Sequence, residues 1–145
     1  MKNQACIELR DLEVQTHIGA YGPNDTVPEK HSLDLSLQIS SQHVLIAQDG
    51  MAHVFDYDPL VAEIDRLAGD GHYETQERLM TLIVEACAAY TEVVSLEICL
   101  RKFPVRNGSG WLGVRLSIDA PSLADLRAKA HASPLSPRLQ THVPA

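Results

Sequence analysis

Paired cysteines, excess positive charge and long apolar runs are all missing from this chain, and each shortage removes a class of protein. Its three cysteines, Cys6, Cys87 and Cys99, are odd in number and far apart, with no CxxC pair. That argues against a disulfide framework and a zinc knuckle. It leaves free thiols, buried or half-buried, of the kind a reducing cytoplasm keeps. The formal net charge is -7, the wrong sign for a surface that follows a phosphate backbone, so no nucleic-acid partner is expected. No stretch approaches the ~18 consecutive apolar residues of a membrane span. The first ten residues, MKNQACIELR, hold no apolar signal core, which makes the expected location cytoplasmic. His17, His31, His43, His53 and His72 are scattered, without HxH or HExxH spacing, so no metal site is expected. The glycines of RNGSGWLG precede a strand pattern rather than a helix, and so form no phosphate-binding loop.

What is present is an ordinary globular composition, 45% hydrophobic over 145 residues, enough for one domain with a real core. Residues 6–18 read as a broken strand. Ile7 and Leu9 alternate with polar residues, then the phase slips by one and Leu12, Val14, Thr16 and Ile18 continue it. A slip of one residue is the mark of a β-bulge. Residues 19–30 are a loop with Gly22-Pro23-Asn24-Asp25 as its turn. In HSLDLSLQI, Leu33, Leu35, Leu37 and Ile39 alternate cleanly, which predicts a half-buried strand hairpinned to the first. Residues 40–55 carry no clear period.

Asp58-Pro59 opens a helix, with Asp58 as cap and an apolar stripe of Leu60, Val61, Ile64 and Leu67 ending at Gly69-Asp70-Gly71. A second helix is predicted over 75–90, with Leu79, Leu82, Ile83, Ala86 and Cys87 at helical spacing. Val94, Leu96, Ile98 and Leu100 restore period two, and so do Leu112, Val114, Leu116 and Ile118 across the nine-residue connection KFPVRNGSG. Trp111 is expected in the core. The order ββααββ predicts an α+β layer, four antiparallel strands with two helices on one face. Its two open sheet edges favour a closed oligomer. The domain is set at residues 1–120. Residues 121–145 are read as a tail, a short helix capped by Ser122 followed by a mobile proline-rich end.

Taken alone, the polar candidates have ordinary readings: Glu77 as a favourable helix start, Tyr57 as a half-buried tyrosine before a helix, Lys102 as a solvated strand end. Taken together, the segments IGAYGPNDTVPEKHSLDL, FDYDPLVAEI and YETQERL, the ββααββ order, and Lys102 at a strand end resemble the dihydroneopterin aldolase family from about Ile7 to Ile118. The resemblance implies the tunnelling fold: four subunits join their sheets into a barrel, two such rings commonly stack, and the sites lie between neighbouring subunits. It implies retro-aldol cleavage of dihydroneopterin to hydroxymethyl-dihydropterin and glycolaldehyde in folate synthesis, with epimerisation of the side chain as a companion activity. It implies no cofactor, metal or Schiff base.

By the same resemblance, Glu77 anchors the pterin, since a carboxylate accepts the ring N–H and the exocyclic amine in one bidentate pair. Lys102 is the base for the side-chain hydroxyl. An ordinary amine titrates near about 10.4, so burial or a cationic neighbour would have to lower it; Arg101 and Arg106 are near in sequence, though alternation puts Arg101 on the face opposite Lys102. Tyr57 returns a proton to the cleaved carbon. Asn24 occupies the position of a family glutamate that contacts the substrate hydroxyls and the amine. It keeps hydrogen bonding and loses the charge, with Asp25 adjacent as a substitute. Pro28-Glu29 and Lys102-Phe103-Pro104 also depart from the family's Pro-Gln and Lys-Pro. These departures keep open a second expectation, a tunnelling-fold protein that binds a pterin or purine without turning it over.

Overall fold

Strict alternation in two neighbouring strands organises the domain. In a computed structural model that describes residues 3–132, β1 spans Gln4–Val14, β2 His17–Ile18, β3 Lys30–Ser40, α1 Asp58–Ala68, β4 His72–Tyr73, α2 Gln76–Ala88, β5 Ser95–Phe103, β6 Leu112–Ile118 and α3 Ala120–Ala132. The main sheet is antiparallel in the order β1-β3-β5-β6. Leu33, Leu35, Leu37 and Ile39 of β3 and Leu96, Ile98 and Leu100 of β5 are buried, because successive residues of a strand face opposite sides and these share one. Leu60, Ile64 and Leu67 of α1 and Leu79, Leu82, Ile83 and Cys87 of α2 are buried as well and join the same core. Burial pushes the Cys87 thiol up to about 12, so it is a packing residue; Cys99 is buried too, whereas Cys6 is exposed rather than half-buried.

The phase slip in β1 is a bulge. Leu9 faces Leu35 and Leu12 faces Leu33, so three steps on β1 match two on β3. Asp11 takes the extra place at φ +53°, a left-handed conformation that Asp tolerates better than most residues. Asp34 holds the bulge together: its Oδ1 accepts from the Asp11 N–H at 2.8 Å and its Oδ2 accepts from Arg101 Nη1 at 2.5 Å. Arg101 Nη2 also donates to Asp11 Oδ1 at 2.5 Å. On its other side Arg101 pairs with Gly113 of β6, where an added Cβ would sit 2.7 Å from Arg101 Cβ.

Several expectations move. Tyr57, not Asp58, is the cap of α1, and Asp58 is the first helical residue with its N–H on Asp56 Oδ1. Thr75 caps α2 through Arg78 N–H. The first strand breaks after Val14, and His17–Ile18 pairs in parallel with His72–Tyr73 to form a second small sheet. Val94 precedes β5 and is exposed, as are Leu112, Leu116 and Trp111, because β6 is an edge strand that the helices do not reach. Asp119 rather than Ser122 caps α3, accepting from Ser122 N–H. That helix docks by the buried Leu123 and by Arg127, which donates to the carbonyls of Ala88, Tyr90 and Val93 beyond α2. The proline-rich end expected to be mobile lies outside the described residues. Among the described residues, no helix is long and apolar enough to cross a membrane.

The Arg101 guanidinium holds the Asp34 carboxyl below the usual carboxylate range, and the Asp11 backbone N–H adds to this against the opposing effect of burial. Asp34→Ala is expected to destabilise the fold by about 1.5–3 kcal/mol, the scale of a lost charge-assisted hydrogen bond and an orphaned donor, measured by urea unfolding. A folded-state pKa below the unfolded one contributes stability above the ordinary carboxylate range and loses it as pH falls through the lowered value. The acid limb of the stability profile should therefore be flatter in Asp34→Asn than in the wild type.

Candidate functional site

One loop links the candidate residues. Residues 19–29 leave the small sheet at Gly19, whose N–H donates to the Tyr73 carbonyl at 2.8 Å, and whose carbonyl lies 2.6 Å from His72 Nε2. The loop rejoins the main sheet at Glu29, whose N–H donates to the Phe103 carbonyl at 2.7 Å. One end is thus tied four residues before Glu77 and the other directly after Lys102. Between them, Gly22 and Asp25 close a turn, with Gly22 N–H on Asp25 Oδ2 at 2.7 Å and Asp25 N–H on the Gly22 carbonyl at 3.1 Å. The Asp25 carboxylate is committed to that turn. Asn24, at its tip, is exposed.

Glu77 sits in the first turn of α2, exposed at the positive end of the helix, a place where a carboxylate is favoured. Lys102 lies in the last turnout of β5, half-buried, with His31 of β3 and Leu112 of β6 as its cross-strand partners. It belongs to the helix-facing row of Leu96, Ile98 and Leu100. Arg101, proposed from sequence as a cationic neighbour, points to the opposite face and is engaged by Asp34 and Asp11. Arg106 lies in the β5–β6 connection, where its backbone pairs with Ser109. Arg101 is thus engaged away from the lysine.

Tyr57 is elsewhere in the protomer. Half exposed at 50%, it lines a groove of about 410 Å³ with Ile7 and Leu9 of β1, Leu35 and Leu37 of β3, and Val61 of α1. Leu35 and Leu37 are four and six residues along β3 from His31, so at about 3.4 Å per residue these groove residues lie roughly 14–20 Å along the sheet from the His31–Lys102 pair. The chain brings the Asn24 loop between the Glu77 and Lys102 elements and leaves Tyr57 at the β1 edge.

Sequence reading missed three polar atoms near this end of the sheet. Thr16 Oγ1, His31 Nε2 and Gln76 Oε1 are buried without a hydrogen-bond partner. Thr16 precedes β2, Gln76 adjoins Glu77, and His31 faces Lys102. Buried polar groups are nearly always satisfied, so each of the three is an exception in the folded protomer. No local sequence signal flags them, because their burial follows from strand pairing. Among the described residues no group of three or more His, Cys, Asp or Glu is placed to hold a metal ion.

Residues 7–117 match the family model described as FolB, dihydroneopterin aldolase. Solved structures are also similar. A putative dihydroneopterin aldolase from Vibrio cholerae superposes with a TM-score of 0.67 at 22% identity, covering 82% of this chain and 98% of that one. The Burkholderia thailendensis dihydroneopterin aldolase bound to guanine gives 0.66 at 21%, covering 79% and 89%. The E. coli dihydroneopterin aldolase in complex with neopterin gives 0.61 at 18%, covering 77% and 98%. No curated protein sequence matches at a significant level.

Gly19 anchors the loop at φ +88°, and a Cβ there would lie 3.0 Å from the Tyr21 hydroxyl. Gly19→Ala should cost about 1–2 kcal/mol from the left-handed backbone alone. Hydrogen exchange should show faster exchange of the Gly19 and Glu29 amides, with amides of the β3–β5 ladder unchanged.

Proposed function

From the premise that the chain belongs to the dihydroneopterin aldolase family, we propose that it cleaves 7,8-dihydroneopterin by a retro-aldol reaction to 6-hydroxymethyl-7,8-dihydropterin and glycolaldehyde, in folate synthesis in the cytoplasm. The observation that carries this reading is the double tether of the 19–29 loop, which spans from the strand ahead of Glu77 to the carbonyl after Lys102. A flat ring held at one end and a hydroxylated arm reaching the other is the substrate shape such a span suits.

Glu77 accepts the ring N–H and exocyclic amine of the pterin in a bidentate, charge-assisted pair. Guanine, bound by one structural neighbour, and neopterin, bound by another, present the same donor edge. Lys102 accepts the proton of the side-chain hydroxyl next to the scissile bond. As the C–C bond breaks, glycolaldehyde leaves and the electron pair passes into the dihydropterin C=N, so the substrate is its own electron sink. Tyr57 then delivers a proton to the carbon. Reversal after cleavage, with re-addition to the other face of the aldehyde, would give the epimer.

Because Tyr57 lies far from Lys102 in one protomer, the complete site takes the tyrosine from a neighbouring protomer. A ring of four subunits, single or stacked, supplies that arrangement. The exposed Leu112 and Leu116 on β6 and the groove beside Tyr57 at the β1 edge are the surfaces it would bring together. The functional unit is residues 1–120, with α3 beginning an appended tail.

Asn24 favours a second reading. An uncharged residue at the loop tip, with Asp25 committed to the turn, gives the amine no carboxylate partner there, and the site would then bind a pterin or purine without cleaving it. Incubation with dihydroneopterin decides between them: glycolaldehyde or the epimer supports turnover, whereas binding with neither product supports the second reading. Under the enzymatic reading, Lys102→Ala should lower kcat by about a hundredfold or more with pterin affinity nearly unchanged. Glu77→Ala should weaken pterin binding by about tenfold or more, measured by fluorescence titration. Wild-type turnover by Lys102→Ala would remove the mechanism.

A further inference from the structure

A buried imidazole faces the candidate catalytic amine. His31 is the direct cross-strand partner of Lys102, and side chains so paired have Cβ atoms about 4.5–5.5 Å apart on one face of the sheet. His31 is only 6% exposed, and its Nε2 is buried without a hydrogen-bond partner. An unsatisfied imidazole nitrogen at such a place is costly unless a group comes to it. Of its two cross-strand partners, only Lys102 has a polar group to bring. Val14 of β1 faces His31 from the far side and is apolar. Lys30 and Arg101 lie on the opposite face, over Phe103 and Trp111 and in the Asp34–Asp11 cluster. Burial first, and the Lys102 charge second, hold His31 below the ordinary histidine range, with no carboxylate opposing them. Both effects favour the neutral ring, in which one nitrogen keeps a lone pair.

We propose that His31 is a positioning residue for Lys102: no hydrogen bond joins the two in the protomer alone, and a turn of the lysine side chain would bring its amine to the Nε2 of the neutral imidazole and aim it toward the substrate hydroxyl. This rests on the reading of Lys102 as the base. It gives the lysine a fixed partner that carries no charge. A carboxylate would favour the ammonium strongly, whereas a neutral imidazole orients the amine with a much smaller penalty on losing its proton. Protonating His31 would place a second cation beside Lys102 and break the contact.

The test has two arms. In the first, the His31 ring is titrated by NMR in the wild type and in Lys102→Met, a readout that requires no turnover. The expected result is a His31 pKa below about 6.5 in the wild type that rises in Lys102→Met; an unmoved pKa overturns the proposal whether or not the protein is an aldolase. In the second arm, kcat and KM for dihydroneopterin are followed against pH in His31→Leu and His31→Gln. His31→Leu should lower kcat at least tenfold with KM unchanged, the scale set by a misplaced catalytic group. His31→Gln should recover part of that loss, since its amide keeps a hydrogen-bonding atom, and should lack the acid limb that His31 protonation gives the wild type. Wild-type kcat in His31→Leu overturns the proposal. Absence of turnover in the wild type would count against the aldolase reading and leave the NMR arm to decide the contact.

Discussion

The β3–β5 ladder is the constraint on which the rest depends. Its nine consecutive antiparallel pairs run from Lys30–Phe103 to Gln38–Ser95, and they sort each residue of both strands onto one of two faces. A one-residue slip would send every side chain of one strand to the wrong side. Leu33, Leu35 and Leu37 would lose the helices, Asp34 would leave the Arg101 side, and His31 would leave Lys102. The apolar row makes such a slip prohibitive, because several fully buried leucines at about 1.5–3 kcal/mol each would meet water. Core packing thereby fixes the register of the polar end, where no apolar contact could do so directly.

The face away from the helices is held by charge rather than apolar packing. Arg101 ties Asp34, Asp11 and Ser32 together, and Arg115 binds Glu97, which also accepts from Ser117. Trp111 lies over this face in contact with Phe103 and within reach of Lys30 and Arg101, which is where it goes instead of into the core. An exposed ring flanked by cations keeps favourable contacts while half in water. Gly113 has a separate reason: β6 passes so close to β5 there that a Cβ would collide with the Leu100 carbonyl and with Cα and Cβ of Arg101.

Much of this was legible in the chain, for an identifiable reason. Elements with one buried face write a period into the sequence, so β3, α2 and the first part of β5 could be read from their leucines and isoleucines. The bulge was legible because it shifts the phase between Leu9 and Leu12. What was not legible depends on partners far along the chain. Two-residue strands such as His17–Ile18 and His72–Tyr73 are too short to show a period. The alternation of β6 is genuine, yet Leu112 is 52% exposed, because a pattern says which residues share a face and not whether that face is covered. His31 has the look of one scattered histidine among seven, and its position opposite Lys102 exists only once the register is known. Glu77, Tyr57, Asn24 and Lys102 stood out through family resemblance; their local chemistry is compatible with ordinary helix starts and strand ends.

Arg101 and Lys102 show how the sheet divides work between adjacent residues of the same charge. The pleat sends them to opposite faces. On one side Arg101 meets two aspartates and a bulge that needs holding, and its planar, permanently charged group suits a fixed multi-point contact. On the other, Lys102 stands across the strand from the buried His31 and, among the described residues, makes no carboxylate ion pair. Exchanging the two residues would put a single-point ammonium where three oxygens must be gripped, and a guanidinium opposite the buried imidazole. The place of Arg101 in the order Arg-Lys is thus dictated by its own face of the sheet, where Asp34, Asp11 and the bulge need holding.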